Sequence, residues 1–182
     1  MSESSLKIQK IQKSSNVALI LARIAKIFCI VMAVISVGSG FGFIGAQNYL
    51  DQELAKALEE GTLTVDELYV NGGGFLDGAL NLAKADSAAE TLGVYLLVLG
   101  AVLICLAIIF HFMVKVFRDI KESYSPFRTE IVKNMKVVFV LITVLVLRSS
   151  LLIGAVIGFS LWCILQIFEY GCELQRQSDE TL

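Results

Sequence analysis

Twenty consecutive positions, 27–46, hold no Asp, Glu, Lys or Arg. Coiled as an α-helix, such a run rises about 1.5 Å per residue and reaches about 30 Å, the thickness of a bilayer's hydrocarbon core. A second uncharged run covers 93–114. A third region, 137–168, holds one charged side chain in 32 residues, Arg148, which is followed by Ser149 and Ser150. Inside hydrocarbon a backbone must satisfy its own hydrogen bonds, so apolar runs of this length dictate helices. The composition agrees. Of the 182 residues 56% are hydrophobic, with a mean hydropathy of +0.74, against about 45–50% apolar residues in an average soluble domain. The fold class predicted is an all-α integral membrane protein.

The first apolar segment begins at Val17, and Arg23 and Lys26 lie close together on one side of it. A cleaved signal peptide is a poor match, because its apolar core spans about 7–15 residues and ends at small side chains. Here the run is longer, and Ile44 stands where a small residue is needed. We expect a retained first transmembrane helix over 17–46, with Asn16 as its cap. Residues 1–16 are polar, with Lys7, Lys10 and Lys13 three apart. They read as a basic tail, either solvated or resting on anionic lipid. The second transmembrane helix is predicted over 93–114.

Region 137–168 poses a choice between one crossing and two. As one helix it would be about 48 Å long and overshoot the core by about 18 Å, more than ordinary tilts absorb. One crossing would also hold Arg148 well inside the hydrocarbon, at about 2.5–3.5 kcal/mol on insertion scales. Two crossings bring the guanidinium to the far interface and let Ser149 and Ser150 serve a tight turn. The expected architecture therefore has four transmembrane helices, the third over 133–148 and the fourth over 151–170. Before them, 115–132 is a basic loop in which Ser125 suits an N-cap and Pro126 a first helical residue.

Lysine and arginine placement orients the bundle, because positively charged loops stay cytoplasmic. Five basic residues precede position 27, and 115–136 carries six against three acids. Segment 47–92 has two, against nine Asp or Glu. Both termini are therefore expected in the cytoplasm and 47–92 outside, as a small α/β-like extracytoplasmic cap. Its parts are a helix over 48–61, a strand over 62–70, a break at the glycines of 72–74, and a helix resuming at 75.

The net charge of −2 gives no basic field, so direct nucleic-acid binding is not expected. Cys29, Cys105, Cys163 and Cys172 form no C-x-x-C and read as small apolar packing residues. With His111 the single histidine, no Ser-His-Asp set or H-E-x-x-H occurs. No catalytic residue, metal ligand or cofactor is assigned, and the chain is not expected to be an enzyme. The string GFGFIG at 40–45 matches the dinucleotide fingerprint by letter but lies inside a membrane span. Gly38 with Gly42, and Gly154 with Gly158, stand four apart and are expected to seat close helix packing, within the bundle or between copies. Arg148 and His111 form a candidate polar path, each weighed against a structural role at an interface.

Two further stretches stand out, SPF at 125–127 and FEYGCELQRQSDETL at 168–182. With the preceding apolar spans, they resemble the bacterial membrane family catalogued as domain of unknown function 2975. Members are similar in having a basic cytoplasmic loop with Pro-Phe and a last span followed by a glycine, a leucine and an acidic-Thr-hydrophobic tail. The matching positions are Pro126, Phe127, Gly171, Leu174, Asp179, Thr181 and Leu182. The resemblance implies four spans, a cytoplasmic C-terminus, the bacterial inner membrane and companionship with small helix-turn-helix regulators. It assigns no activity. The tight turn near Arg148 departs from the longer outer connection of that family.

Gly171 permits a bend, after which 171–182 would lie beneath the bundle as a cytoplasmic tail. That tail is either solvated or a docking surface for the 115–132 loop or a cytoplasmic protein partner. Beyond the lipid bilayer, the partners expected are such a protein or further copies of this chain. The function expected is regulatory or accessory, with Pro126, Phe127, Gly171, Leu174 and Asp179 as candidate docking residues. The alternative is a small oligomeric transporter or channel that uses Arg148 and His111.

Overall fold

The computed structural model describes residues 3–60, 87–122 and 127–180, with side chains except at 3–11, 54, 58, 88, 148, 149 and 179. Five helices make up this part of the chain: α1 (Glu3–Gly45), α2 (Gln47–Glu59), α3 (Ala88–Glu122), α4 (Thr129–Ser149) and α5 (Leu151–Glu180). No strand occurs among the described residues. The expected strand at 62–70 and the glycines of 72–74 lie outside them, so of segment 47–92 only α2, Glu60 and the residues from 87 onward are described.

Stretches of α1, α3 and α5 are long and apolar enough to cross a membrane: Gln12–Gly45, Ala89–Glu122 and Leu151–Ser178. Their side chains explain why a bilayer is needed. Leu21, Phe28 and Val34 on α1, and Leu152, Phe159 and Ile167 on α5, all face outward and are exposed. Continuous apolar surface of this extent is an association hazard in water, whereas lipid tails are as apolar as the side chains themselves. The chain is a multi-pass membrane protein. Helix α4 differs from the other three. Glu130, Lys133 and Lys136 occupy its first turns, and the uncharged stretch 137–147 rises only about 16 Å. With these charges at one end and Arg148 at the other, it is not among the helices apolar enough to cross a membrane by composition alone.

The chain divides into two compact units, one of Met1–Phe28 with Cys105–Leu182 and the other of Cys29–Ile104. In the second unit the later part of α1 runs antiparallel to the early part of α3. Cys29, Ala33, Ser36 and Gly40 of α1 are buried, alternating four and three apart, as are Ala89, Gly93 and Gly100 of α3. This seam holds small residues because the backbones nearly touch. A Cβ on Gly40 would lie 2.9 Å from the carbonyl oxygen of Gly93, and one on Gly100 would lie 2.5 Å from the side chain of Val37. Ser36 Oγ donates to the Leu96 carbonyl at 2.9 Å, so the buried hydroxyl is satisfied across the seam.

Helix α2 follows α1 after Ala46 alone, whose N–H bonds to the Gly42 carbonyl and whose carbonyl accepts from Leu50. Asp51 of α2 then accepts from the Ala89 N–H at 3.0 Å, while Ser87 Oγ accepts from the Glu90 N–H at 3.0 Å. Two of the first donors of α3 are thereby capped.

In the other unit Ser15 Oγ donates to the Phe117 carbonyl at 2.7 Å and joins the early part of α1 to the end of α3. Helices α4 and α5 form an antiparallel hairpin around one extended residue, Ser150 (φ −155°, ψ 120°). Its N–H closes α4 on the Val146 carbonyl, and its own carbonyl accepts from the Gly154 N–H to open α5. With so short a turn, residues equidistant from the Ser150–Leu151 peptide bond must meet. Gly154 seats the backbone of Leu147, where a Cβ would lie 2.6 Å from the Leu147 Cα. Gly158 seats Thr143, with 2.7 Å to its methyl.

Four expectations need correction. Helix α1 is continuous from Glu3, so Asn16 caps no helix start and residues 3–16 of the basic tail are helical; Ser15, next to Asn16, is spent on packing instead. Helix α4 begins at Thr129 rather than at Pro126, because Phe127 and Arg128 are non-helical, with Arg128 extended (φ −116°, ψ 140°). Helix α5 continues through Gly171 to Glu180 with no break in the helix. Finally, a Cβ on Gly38 or Gly42 would meet no atom within 4 Å among the described residues, so neither seats a helix there. The seam uses Gly40 instead, because it follows the alternating spacing that begins at Cys29.

Candidate functional site

The site is assembled where the lead-in to α4 meets the end of α5. Phe127 is held out of helix, and its ring lies over Gly171; a Cβ there would come within 2.6 Å of Phe127 Cε1. The ring also meets Phe168, with centroids 5.7 Å apart at 46°. Gly171 therefore serves as a seat for an aromatic ring on a continuous helix. The two stretches singled out in the sequence, SPF and FEYGCELQRQ, are brought together by this contact. Pro126, Thr181 and Leu182 lie outside the described residues, as does the side chain of Asp179. Leu174 is exposed.

Beside this latch, α4 and α5 enclose an open groove of about 630 Å³. Helix α4 contributes Thr129, Val132, Lys133 and Lys136; α5 contributes Glu169, Cys172, Glu173 and Arg176. Arg176 is engaged by Glu173 at 3.3 Å and by Glu180 at 3.6 Å, and Gln177 also donates to Glu173. These are exposed pairs of one helix, and such pairs hold geometry more than they add stability. Lys133, Lys136 and Glu169 make no ion pair among the described residues. A second groove of about 290 Å³ continues from Lys136 along the same seam, lined by apolar residues including Val140, Val144, Trp162 and Leu165.

His111 and Arg148 fare differently. Lys26 Nζ of α1 approaches His111 Nδ1 of α3 at 3.4 Å. An ammonium has donors only, so Nδ1 is the acceptor in this pair. Lys115 lies 5.1 Å from the centroid of the Phe112 ring, a cation–π contact. The backbone of Arg148 is the penultimate residue of α4, two positions before the reversal at Ser150; its side chain is outside the described set.

Sequence reasoning missed the Lys133–Lys136 groove and the double cap of α3. Both signals were present. Ser87 and Glu90 stand in the S-x-x-E spacing of a capping box. Pairing residues equidistant from the Ser150–Leu151 peptide bond would have set Lys136 opposite Leu165 and Thr129 opposite Cys172. Among the described residues no group of three His, Cys, Asp or Glu could hold a metal ion. No family model, no curated protein and no solved structure matches the chain.

Proposed function

We propose that this chain is a non-enzymatic regulatory or accessory protein of the bacterial inner membrane, related to the family catalogued as domain of unknown function 2975. In this reading it crosses the bilayer four times, with both termini in the cytoplasm, and its cytoplasmic face docks a protein partner. Helix α4 is the fourth crossing. Lys133 and Lys136 extend their stems back to the inner headgroups, and the reversal at Ser150 lies at the outer ones. The observation that carries the docking reading is the Phe127 ring on Gly171, which fastens the basic loop to the polar end of α5. That end offers exposed Leu174 beside ordered charges at Glu173, Arg176 and Glu180.

The test is photo-crosslinking in cells from a probe at Arg128 or Leu174, with a probe at lipid-facing Leu152 as control. A discrete protein adduct from the first two positions, absent at Leu152 and lost in Phe127→Ala, supports docking. Recovery of lipid alone from all three positions would sink it. A second reading, a small oligomeric transporter or channel, draws on the Lys26–His111 contact between two helices. It requires ion flux in vesicles that falls when His111 and Arg148 are both replaced.

A further inference from the structure

The two grooves on the α4–α5 seam share Lys136 and differ sharply in chemistry on either side of it. On α4 no charged residue follows Lys136 until Arg148, beside the reversal. On α5 it is uncharged from Leu151 to Phe168, and charge begins at Glu169. The polar-to-apolar boundary of both helices thus coincides with the border between the grooves. A ligand lying along the seam would have its charged end among Lys133, Lys136 and Thr129 and its apolar end beneath Val140, Val144 and Trp162.

We propose that this seam binds one membrane phospholipid, with its phosphodiester between Lys133 and Lys136 and the start of an acyl chain in the apolar groove. Charge balance selects the headgroup. Of the charged side chains lining the polar groove, Lys133 and Lys136 face Glu169 alone once Arg176 is set apart with its own carboxylates, which leaves one excess positive charge at the lysine end. Arg176 is already engaged by Glu173 and Glu180, so the excess sits on the two lysines, with Glu169 as the opposing free carboxylate. A single phosphodiester with an uncharged headgroup, as in phosphatidylglycerol, neutralises the site. A zwitterionic lipid leaves the excess charge in place. Basic pockets between membrane helices recognise lipid headgroups by such charge-assisted contacts. The apolar groove runs from Lys136 to Val144, about 12 Å of helix rise, which is within one leaflet. This site goes beyond the docking reading and stands whether or not a protein partner binds.

The experiment uses the full chain purified in detergent, with retention of phosphatidylglycerol, phosphatidylethanolamine and phosphatidylcholine of identical chains measured by native mass spectrometry. Soluble glycerol phosphate serves as competitor. The expected result is phosphatidylglycerol retained at least tenfold more tightly than phosphatidylcholine, and not displaced by glycerol phosphate. K133Q/K136Q should abolish that preference, and E169Q should strengthen it. V140F, which fills the apolar groove from an exposed position, should weaken retention of all three lipids. Equal retention of the three lipids, a preference that survives K133Q/K136Q, or displacement by glycerol phosphate would overturn the proposal. Helicity and melting of each variant, unchanged from the parent, keep a folding defect from imitating the result.

Discussion

The hairpin of α4 and α5 predicts that Gly154→Ala is one of the costliest single-methyl additions in the chain. A Cβ at 154 would lie 2.6 Å from the Leu147 Cα and 2.7 Å from its nitrogen. Both atoms are backbone inside a helix, and neither can rotate away as a side chain would. Overpacking of this kind costs about 1–3 kcal/mol, while replacing glycine by alanine in a helix returns about 0.8–1.0 kcal/mol. The net loss is then about 0–2 kcal/mol. Gly38→Ala supplies the reference. Nothing lies within 4 Å of a Cβ at 38, so only the propensity gain applies there. The difference between the two variants isolates the steric cost, about 1–3 kcal/mol with Gly154→Ala the less stable. Reversible unfolding in mixed micelles by increasing sodium dodecyl sulfate, followed by circular dichroism, measures both. Equal midpoints and slopes for the two variants would refute the register derived from Ser150.

Ser87→Ala and Asp51→Ala should each destabilise by about 0.5–2 kcal/mol, since each removes a cap from a different N–H at the start of α3. Amide hydrogen exchange at Ala89 should accelerate mainly in the Asp51 variant, and at Glu90 mainly in the Ser87 variant. Ser36→Ala removes a bond to the Leu96 carbonyl and should cost only about 0.6 kcal/mol, the typical value for side-chain hydrogen bonds between membrane helices. Ser36→Leu should cost distinctly more in the same unfolding assay, because it drives a large side chain into a seam of Ala33, Gly40 and Gly93.

Long uncharged runs were legible because hydrocarbon imposes one solution on the backbone, and α1, α3 and α5 lie where those runs are. The reversal beside Arg148 was legible too, since length and charge both argued against one helix there. Which glycines pack was not. Gly38-x-x-x-Gly42 and Gly154-x-x-x-Gly158 carry the same spacing, yet the first pair is open and the second is closed by Leu147 and Thr143. Spacing marks a smooth helix face, and only the partner's register decides whether that face is used. Gly171 teaches a related lesson. Glycine after a span suggests conformational freedom, but here the missing side chain makes room for Phe127, 44 positions earlier in the chain. The groove at Lys133 and Lys136 was hidden for the same reason, because its other wall comes from α5.

The most direct test places single cysteines at Ser150 and at Glu180 in a chain whose four native cysteines are replaced by alanine. A membrane-impermeant maleimide is then applied to intact cells and, separately, to permeabilised ones. A doubled-back chain predicts labelling of Ser150→Cys in intact cells and of Glu180→Cys only after permeabilisation. Labelling of both positions from the same side would contradict it.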